Sequence, residues 1–444
     1  MLKKPVKKTI RVKPELPGGF RDYGPAEAII RQRLMDKIRK TFEDFGFDPL
    51  ETPAVERTEV LTGGEKESAK IIFNLKGSKE KKSDTSLRFD LTVPLARFIA
   101  ANPEIPKPFK RYQIGQAWRG ESPQAGRYRE FLQADLDIAG SSSPDADAEI
   151  INAIYQVFKN LGLNKFLIKI NSRKILSGLP ELAGFSIKNL EEVLRVIDKK
   201  DKLGEEAIKK ELKKNVGAKP AQKIYEFSST PGDAKTKLLR AREALRESSS
   251  ALEGVNELIE IARNLNAAGV DPKNWEVDFS VVRGLGYYTG PIFETILTDT
   301  PELGSVASGG RYDNLLLPFT GQKLPMAGGS IGVDRLFAAL DKLGLIKRRA
   351  TSTKIIILNL SSELKREYLS LAKNLRAANL NCSLYLGDDR TFQAQLAYAV
   401  KKEIPYVIIY GDNESKKGIY IVKDLVRREQ KEIPKGNILQ YFKK

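Results

Sequence analysis

The chain has no histidine among its 444 residues. That excludes Ser-His-Asp and Cys-His nucleophilic machinery and every histidine-ligated metal site. A single cysteine, Cys382, excludes an intramolecular disulfide framework and a cysteine zinc cluster, and fits a reducing cytoplasm. No run approaches the roughly 20 apolar residues of a membrane helix. The basic opening MLKKPVKKTIRVKP leads into no apolar segment and does not read as a secretory signal, so a soluble cytoplasmic protein with no membrane partner is expected. Neither a GxxxxGK[ST] nor a GxGxxG phosphate loop occurs, so a nucleotide would need another architecture. Arginine, carboxylates, backbone groups and Mg²⁺ remain for chemistry.

What is abundant is positive charge: 75 basic against 57 acidic residues, a net +18 and a pI near 9.5. Such a balance suits an acidic polymer such as nucleic acid; a lysine-rich solvated surface would account for it equally well. The length exceeds what one core usually supports, and the 41% hydrophobic share is enough for several.

GPAEAIIRQRLMDKIRKTFEDFGF carries apolar residues at helical spacing and stops at Gly46. DPLETPAV follows as an extended piece with Pro53, then the charged turn KGSKEKKSD, then LRFDLTVPLARFIA, a strand leading into a helix. From Ser172 to Leu265 the chain is dense in Lys and Glu with helical periodicity, which predicts a helical insertion between two parts of one domain. Beyond the linker-like IKRRATSTK, the runs IIILNL, CSLYLG, YVIIYG and IYIVKDL alternate with helical segments and predict a small α/β domain.

Three windows carry candidate chemistry. Phe109 to Gly140 reads as an antiparallel hairpin with a long basic tip. In its second strand Gln133, Asp135 and Asp137 face away from Leu132, Ala134, Leu136 and Ile138. That polar face, beside Arg119, Glu121, Arg127 and Arg129, suits a ligand with cationic and anionic parts, or is simply solvated. Val277 to Leu297 predicts an apolar strand delivering Arg283 to a Gly-x-Gly bend before Tyr287 and Tyr288. An arginine in such a run asks for an anion, and paired tyrosines suit a planar side chain or a core. In GGSIGVDRLF a glycine-rich strand runs into a helix with Arg335 in its first turns. The helix dipole disfavours a cation there, so a ligand is the simpler account.

Together these windows resemble the signature motifs of class II aminoacyl-tRNA synthetases, in the right order. The first helix with DPLETPAV and its Pro53 is similar to motif 1, a dimer-forming element; WRGESPQAGRYREF resembles motif 2 and GGSIGVDRLF motif 3. RGLGYYTGPIFE and SGGRYDNL resemble peptides peculiar to histidyl-tRNA synthetases. The resemblance implies an α+β fold: an antiparallel sheet flanked by helices, with a helical insertion and a C-terminal α/β anticodon-binding domain. The corresponding divisions are a basic tail 1–14, a catalytic domain in two parts, 15–171 and 266–345, the insertion 172–265, a linker 346–353 and the anticodon-binding domain 354–444.

It also implies residue roles. Arg119 would contact the α-phosphate of ATP and Arg335 the γ-phosphate, while Arg283 would stabilise charge on the α-phosphate as the substrate carboxylate attacks. Asp90, Thr92, Gln133 and Asp137 would hold the amino group of L-histidine, Arg127 its carboxylate and the adenylate, and Tyr287 and Tyr288 its imidazole. Glu121 is the candidate for the adenine edge or for Mg²⁺, and Arg21 in GGFRDY for the acceptor end of tRNA(His). The implied enzyme is a homodimer that makes histidyl-adenylate and passes the acyl group to tRNA; a synthetase-like regulatory subunit of histidine biosynthesis is the rival. The chain departs from the family at Gly286, where members often carry an acid, and at FQAQLAYA, which replaces a basic run.

Overall fold

The computed structural model describes residues 12–63, 71–77, 84–122, 126–200, 203–283 and 287–443. The chain forms two compact units, one built mainly from 34–345 and the other mainly from 346–444.

Pro25 opens a helix, Pro25–Asp44, at a position where its missing N–H costs nothing. Gly46 follows at φ 72, a left-handed stop that glycine adopts without strain. Leu34, Ile38, Thr41 and Phe42 make the buried stripe of its C-terminal half. Eight strands then build the main sheet: β1 (Asp48–Pro49), β2 (Phe109–Trp118), β3 (Glu130–Ala139), β4 (Phe166–Ser172), β5 (Trp275–Val277), β6 (Pro291–Leu297), β7 (Ala307–Arg311) and β8 (Met326–Gly332). Their order is β1-β2-β3-β8-β7-β6-β4-β5. The inner six pair antiparallel, but β1 runs parallel to β2 and β5 parallel to β4. The sheet expected to be antiparallel is therefore mixed at its margins, where strands of two and three residues are too short to show alternation.

The helix Pro144–Asn160 lies on this sheet, its N-terminus capped by the Ser143 hydroxyl, which accepts from Asp145 N at 3.2 Å. The strand expected in LRFDLTVPLARFIA does not form there: the observed strand is Thr85–Leu87, of which only Leu87 falls in that segment, in a small antiparallel sheet with Val55–Arg57 and Phe73–Leu75. Arg88 to Leu91 is loop, and Asp90 Oδ1 accepts from Val93 N at 3.0 Å to start the helix Thr92–Ala101. The expected charged turn falls largely outside the described residues.

Between β4 and β5 the chain is helical, from Arg173–Ser177 to Ser249–Ala267. Phe227 of this segment stacks on Phe279 at 4.8 Å, and Lys237 Nζ reaches Glu276 at 3.1 Å, fastening it beside β5.

In the second unit, strands Cys382–Leu384, Ile355–Ile357 and Tyr406–Ile409 are parallel, and Ile419–Asp424 and Glu429–Pro434 extend the sheet antiparallel. The last strand, EQKEIP, shows no apolar alternation and was not expected. A local turn creates it: Asp424 Oδ1 accepts from Val426 N and Arg427 N, both at 2.9 Å, and Arg428 adopts φ 59. Among the described residues no helix is long and apolar enough to cross a membrane.

Candidate active site

The hairpin β2/β3 and the neighbouring β8 place the polar face of β3 under a cavity of about 320 Å³. That face is buried, with Gln133, Asp135 and Asp137 at 9%, 1% and 2% exposure, so the solvated alternative is set aside. Every side chain to which the family resemblance gives a role, except Arg21, lines this cavity: Asp90, Thr92, Arg119, Glu121, Arg127, Gln133, Asp137, Arg283, Tyr287, Tyr288 and Arg335. Arg21 stands next to it, donating to the hydroxyl of Tyr128, a lining residue, at 3.0 Å.

Glycines let the backbone form a flat floor. Gly309 pairs with Gly329 and Gly310 with Gly328 across β7 and β8. A Cβ on Gly328 would overlap Asp137 Oδ1 and the Tyr312 hydroxyl, and one on Gly309 would overlap the Gly328 carbonyl.

Arg119 Nε donates to the Phe89 carbonyl at 3.1 Å, and its guanidinium lies 5.0 Å from the Phe131 ring centroid. Arg335 stands in the first turn of the helix Val333–Lys342, donating to the Ser305 carbonyl. Its neighbour Asp334 accepts from Leu132 N at 2.6 Å and so ties this helix to β3. Burial, then the charges of Arg127, Arg283 and Arg119, lower Arg335 to about 10. These arginines are close enough to repel one another.

Arg283 is not on a strand, contrary to expectation. The strand ends at Val277, and Arg283 sits in loop at φ 54, a region sparsely populated by residues that carry a Cβ and a mark of constraint. It is held by Ser308 Oγ at 2.6 Å and Glu294 Oε2 at 3.4 Å, which face each other across β6 and β7. Its Nε is buried with no hydrogen-bond partner among the described residues. Gly286 lies outside the described residues.

In the same cavity Tyr287 and Tyr288 pack with centroids 4.7 Å apart, and Tyr312 meets both edge-on at 5.8 and 6.3 Å. Burial pushes all three phenols up, so they keep their protons. Burial also raises Asp90 and Asp137. Asp90 Oδ2 and Gln133 Oε1 are buried acceptors with no partner among the described residues. Such acceptors ask for a donor from a ligand or water.

Sequence reasoning missed two participants. Tyr312, inside SGGRYDNL, donates to Asp137 Oδ1, and Arg111 on β2, fully buried, pairs with Asp137 Oδ2 at 2.7 Å. The signal for Arg111 was its register, directly opposite Asp137 in the hairpin.

A sheet antiparallel through its inner six strands, with a glycine floor under a cavity lined by arginines and buried acceptors, is the catalytic architecture of an aminoacyl-tRNA synthetase. Comparison with known proteins narrows this. The family model for histidyl-tRNA synthetase matches residues 19–336, and that for the anticodon binding domain matches 354–444. The chain belongs to the histidyl-tRNA synthetase family. A curated histidine–tRNA ligase of Wolinella succinogenes is 40% identical over 433 residues, covering 96% of this chain and 97% of its own. The crystal structure of histidyl-tRNA synthetase from a Nostoc species superposes with a TM-score of 0.88 at 34% identity, covering 98% of this chain and 99% of that one. A Bacillus halodurans structure described as an ATP phosphoribosyltransferase regulatory subunit/histidyl-tRNA synthetase has a TM-score of 0.73 at 22% identity, covers 88% of this chain and 97% of its own, and shares the fold.

Proposed function

We propose that this enzyme activates L-histidine with ATP and transfers it to tRNA(His). The observation that carries the reading is one cavity that brings Arg119, Arg127, Arg283 and Arg335 together with the unpartnered acceptors Asp90 Oδ2 and Gln133 Oε1 and with the tyrosines. The arginines suit a triphosphate, the acceptors and tyrosines an α-ammonium group and a planar side chain.

In this reading the cavity holds the histidine carboxylate in line with the α-phosphorus, and bond formation expels pyrophosphate. Arg119 and Arg283 draw off charge accumulating on the α-phosphate oxygens. Arg283 needs no reorganisation for this, being already aimed by Ser308 and Glu294. Arg335 neutralises the γ-phosphate, which relieves its repulsion from the other arginines. Asp90, Thr92, Gln133 and Asp137 receive the ammonium group, Arg127 steadies the carboxylate and then the adenylate, and Tyr287 and Tyr288 flank the imidazole. The Phe131 ring offers adenine a flat face.

Among the described residues no group of three carboxylates gathers that would hold a metal by itself. Glu121, which lines the same cavity, fits the single carboxylate with which Mg²⁺ is commonly held when phosphates supply the other oxygens. A Mg²⁺ there would offset phosphate charge. Arg21, beside Tyr128, would meet the tRNA acceptor end, the 354–444 domain its anticodon, and two copies of the chain would associate through the motif 1 segment.

ATP–pyrophosphate exchange with each of the twenty amino acids tests this. Exchange with histidine alone, lost in Arg283→Ala, is expected; exchange with none would favour the regulatory-subunit reading, and exchange with another amino acid would keep the class and overturn the substrate.

A further inference from the structure

Strand register puts beneath the cavity a charge cluster of which these roles use only Asp137. Asp135 and Asp137, two apart on β3, share a face. Across the hairpin Arg111 stands opposite Asp137 and Gln113 opposite Asp135. Arg111, Asp135 and Asp137 are 0%, 1% and 2% exposed, and Arg88, 6% exposed, also acts on Asp135, so two guanidiniums stand among these buried carboxyl groups. Arg111 Nη2 serves Asp137 at 2.7 Å and the Leu91 carbonyl at 3.1 Å. Its Nε and Nη1 have no hydrogen-bond partner among the described residues, although a buried guanidinium is costly to leave unmatched. Asp137 lines the cavity; Asp135 does not.

We propose that Asp135 is a positioning residue for the amino-acid end of the site: by sharing Arg111 with Asp137, it sets how much net negative charge Asp137 presents to a cationic group of the ligand. The proposal rests on the histidine-activating reading. With Asp135 ionised, Asp90, Asp135 and Asp137 outnumber Arg88 and Arg111 and the cluster carries a net negative charge, which favours an ammonium or imidazolium in the cavity. With Asp135 protonated, the two guanidiniums cancel the two remaining carboxylates and that attraction weakens.

The groups around Asp135 come from several elements. Arg111 and Gln113 face it from β2, Ser330 from β8, Asp137 along its own strand, and Arg88, Asp90 and Tyr288 from the loops. Burial is the largest influence, opposed by Arg111, and together they bring the Asp135 carboxyl up to about 7. The change of charge therefore falls in the neutral range, in a chain with no histidine to titrate there.

The test is histidine-dependent ATP–pyrophosphate exchange by the full chain from pH 6 to 8.5, in wild type, Asp135→Asn and, as a second neutral variant, Asp135→Ser. For wild type, KM for histidine is expected to fall about tenfold across this range, an effect of the size one unit charge exerts through partly screened protein. In the neutral variants KM should stay near its low-pH value, with kcat and KM for ATP little changed. A structural role alone would shift all three constants without altering their pH profiles. KM profiles for the neutral variants that run parallel to wild type would overturn the proposal and leave the function standing. Absence of histidine-dependent exchange in wild type would overturn the function and the proposal with it.

Discussion

Tyr312 and Arg111 hold the same carboxylate from opposite sides: the phenol donates to Asp137 Oδ1 from the end of β7, and the guanidinium reaches Oδ2 at 2.7 Å from β2. This cavity-lining acid is thereby fixed by two elements that are distant in sequence. Tyr312→Phe removes the donor and leaves a buried acceptor short of a partner, which typically costs about 1–3 kcal/mol. Urea denaturation should register that loss, and exchange kinetics should show KM for histidine raised with KM for ATP unchanged. Equal effects on both substrates would sink this assignment.

Gly328 lies under the same contact. Because a Cβ there would overlap both Asp137 Oδ1 and the Tyr312 hydroxyl, Gly328→Ala must push one of them aside. Overpacking of this kind costs about 1–3 kcal/mol. The variant should fold, lose stability of that order and bind histidine about tenfold more weakly or worse. Calorimetric titration with histidine is the check, and wild-type affinity would show that the floor is not so tightly packed.

How much of this was legible in the sequence depends on the length of the pattern. Phe109 to Ala139 announced a hairpin because each arm runs ten residues, long enough for alternation to show. The four apolar strands of the last domain, only three to six residues long, were legible instead as short apolar runs between helical segments, and the glycine strand feeding Arg335 by the helical pattern that follows it. The polar side of β3 was ambiguous, because alternation says which residues share a face and nothing about what covers it. Arg111 was overlooked for that reason: in FKRYQIGQAW it resembles any solvated cation until the partner strand sets Asp137 opposite. Arg283 was placed on a strand because VDFSVV is apolar, yet Asp278 Oδ1 accepts from Ser280 N at 2.9 Å and from its hydroxyl at 2.6 Å, making a turn that ends the extended run.

A second buried ion pair joins the end of β7 to the helix Pro144–Asn160. Arg311 contacts Asp147 at 2.5 Å and donates to the Ser141 and Ser143 carbonyls, while its own carbonyl accepts from Thr289 N at 2.8 Å. Both side chains are nearly inaccessible, at 4% and 3%. Asp147→Ala would strand a guanidinium indoors, a change that usually costs about 3–5 kcal/mol. Thermal unfolding should fall accordingly. A melting temperature within a degree of wild type would mean that the backbone carbonyls suffice.

Asp135 makes a prediction about stability as well as binding. Its folded value, about 7, lies above the usual 3.8, so folding favours the protonated form. The stability it contributes is present below pH about 4 and is lost as pH rises through about 7. Asp135→Asn, which mimics the protonated form, should match wild type at low pH and gain on it with rising pH. The gain should reach a few kcal/mol, at roughly 1.4 kcal/mol for each tenfold difference in proton affinity between the folded and unfolded chain. Denaturation midpoints from pH 4 to 8 decide this. A gap that narrows with pH would contradict it.

Arg335 is where stability and function pull apart. Burial and the neighbouring arginines hold it at about 10, below its ordinary 12.5, so the folded protein bears a charge it would rather shed. That cost applies at every pH below about 10 and fades only as pH rises through that value. Triphosphate binding would offset it at neutral pH. Arg335→Gln keeps a donor for the Ser305 carbonyl and removes the repulsion, so without ligand its melting temperature should equal or exceed that of wild type. The same variant should gain less stability from added ATP and show KM for ATP raised by an order of magnitude or more, the usual consequence of removing a charge from a phosphate site. Differential scanning calorimetry with and without ATP separates the effects. A variant that melts lower without ATP yet gains as much from ATP as wild type would make Arg335 a structural residue, and the γ-phosphate would need another partner.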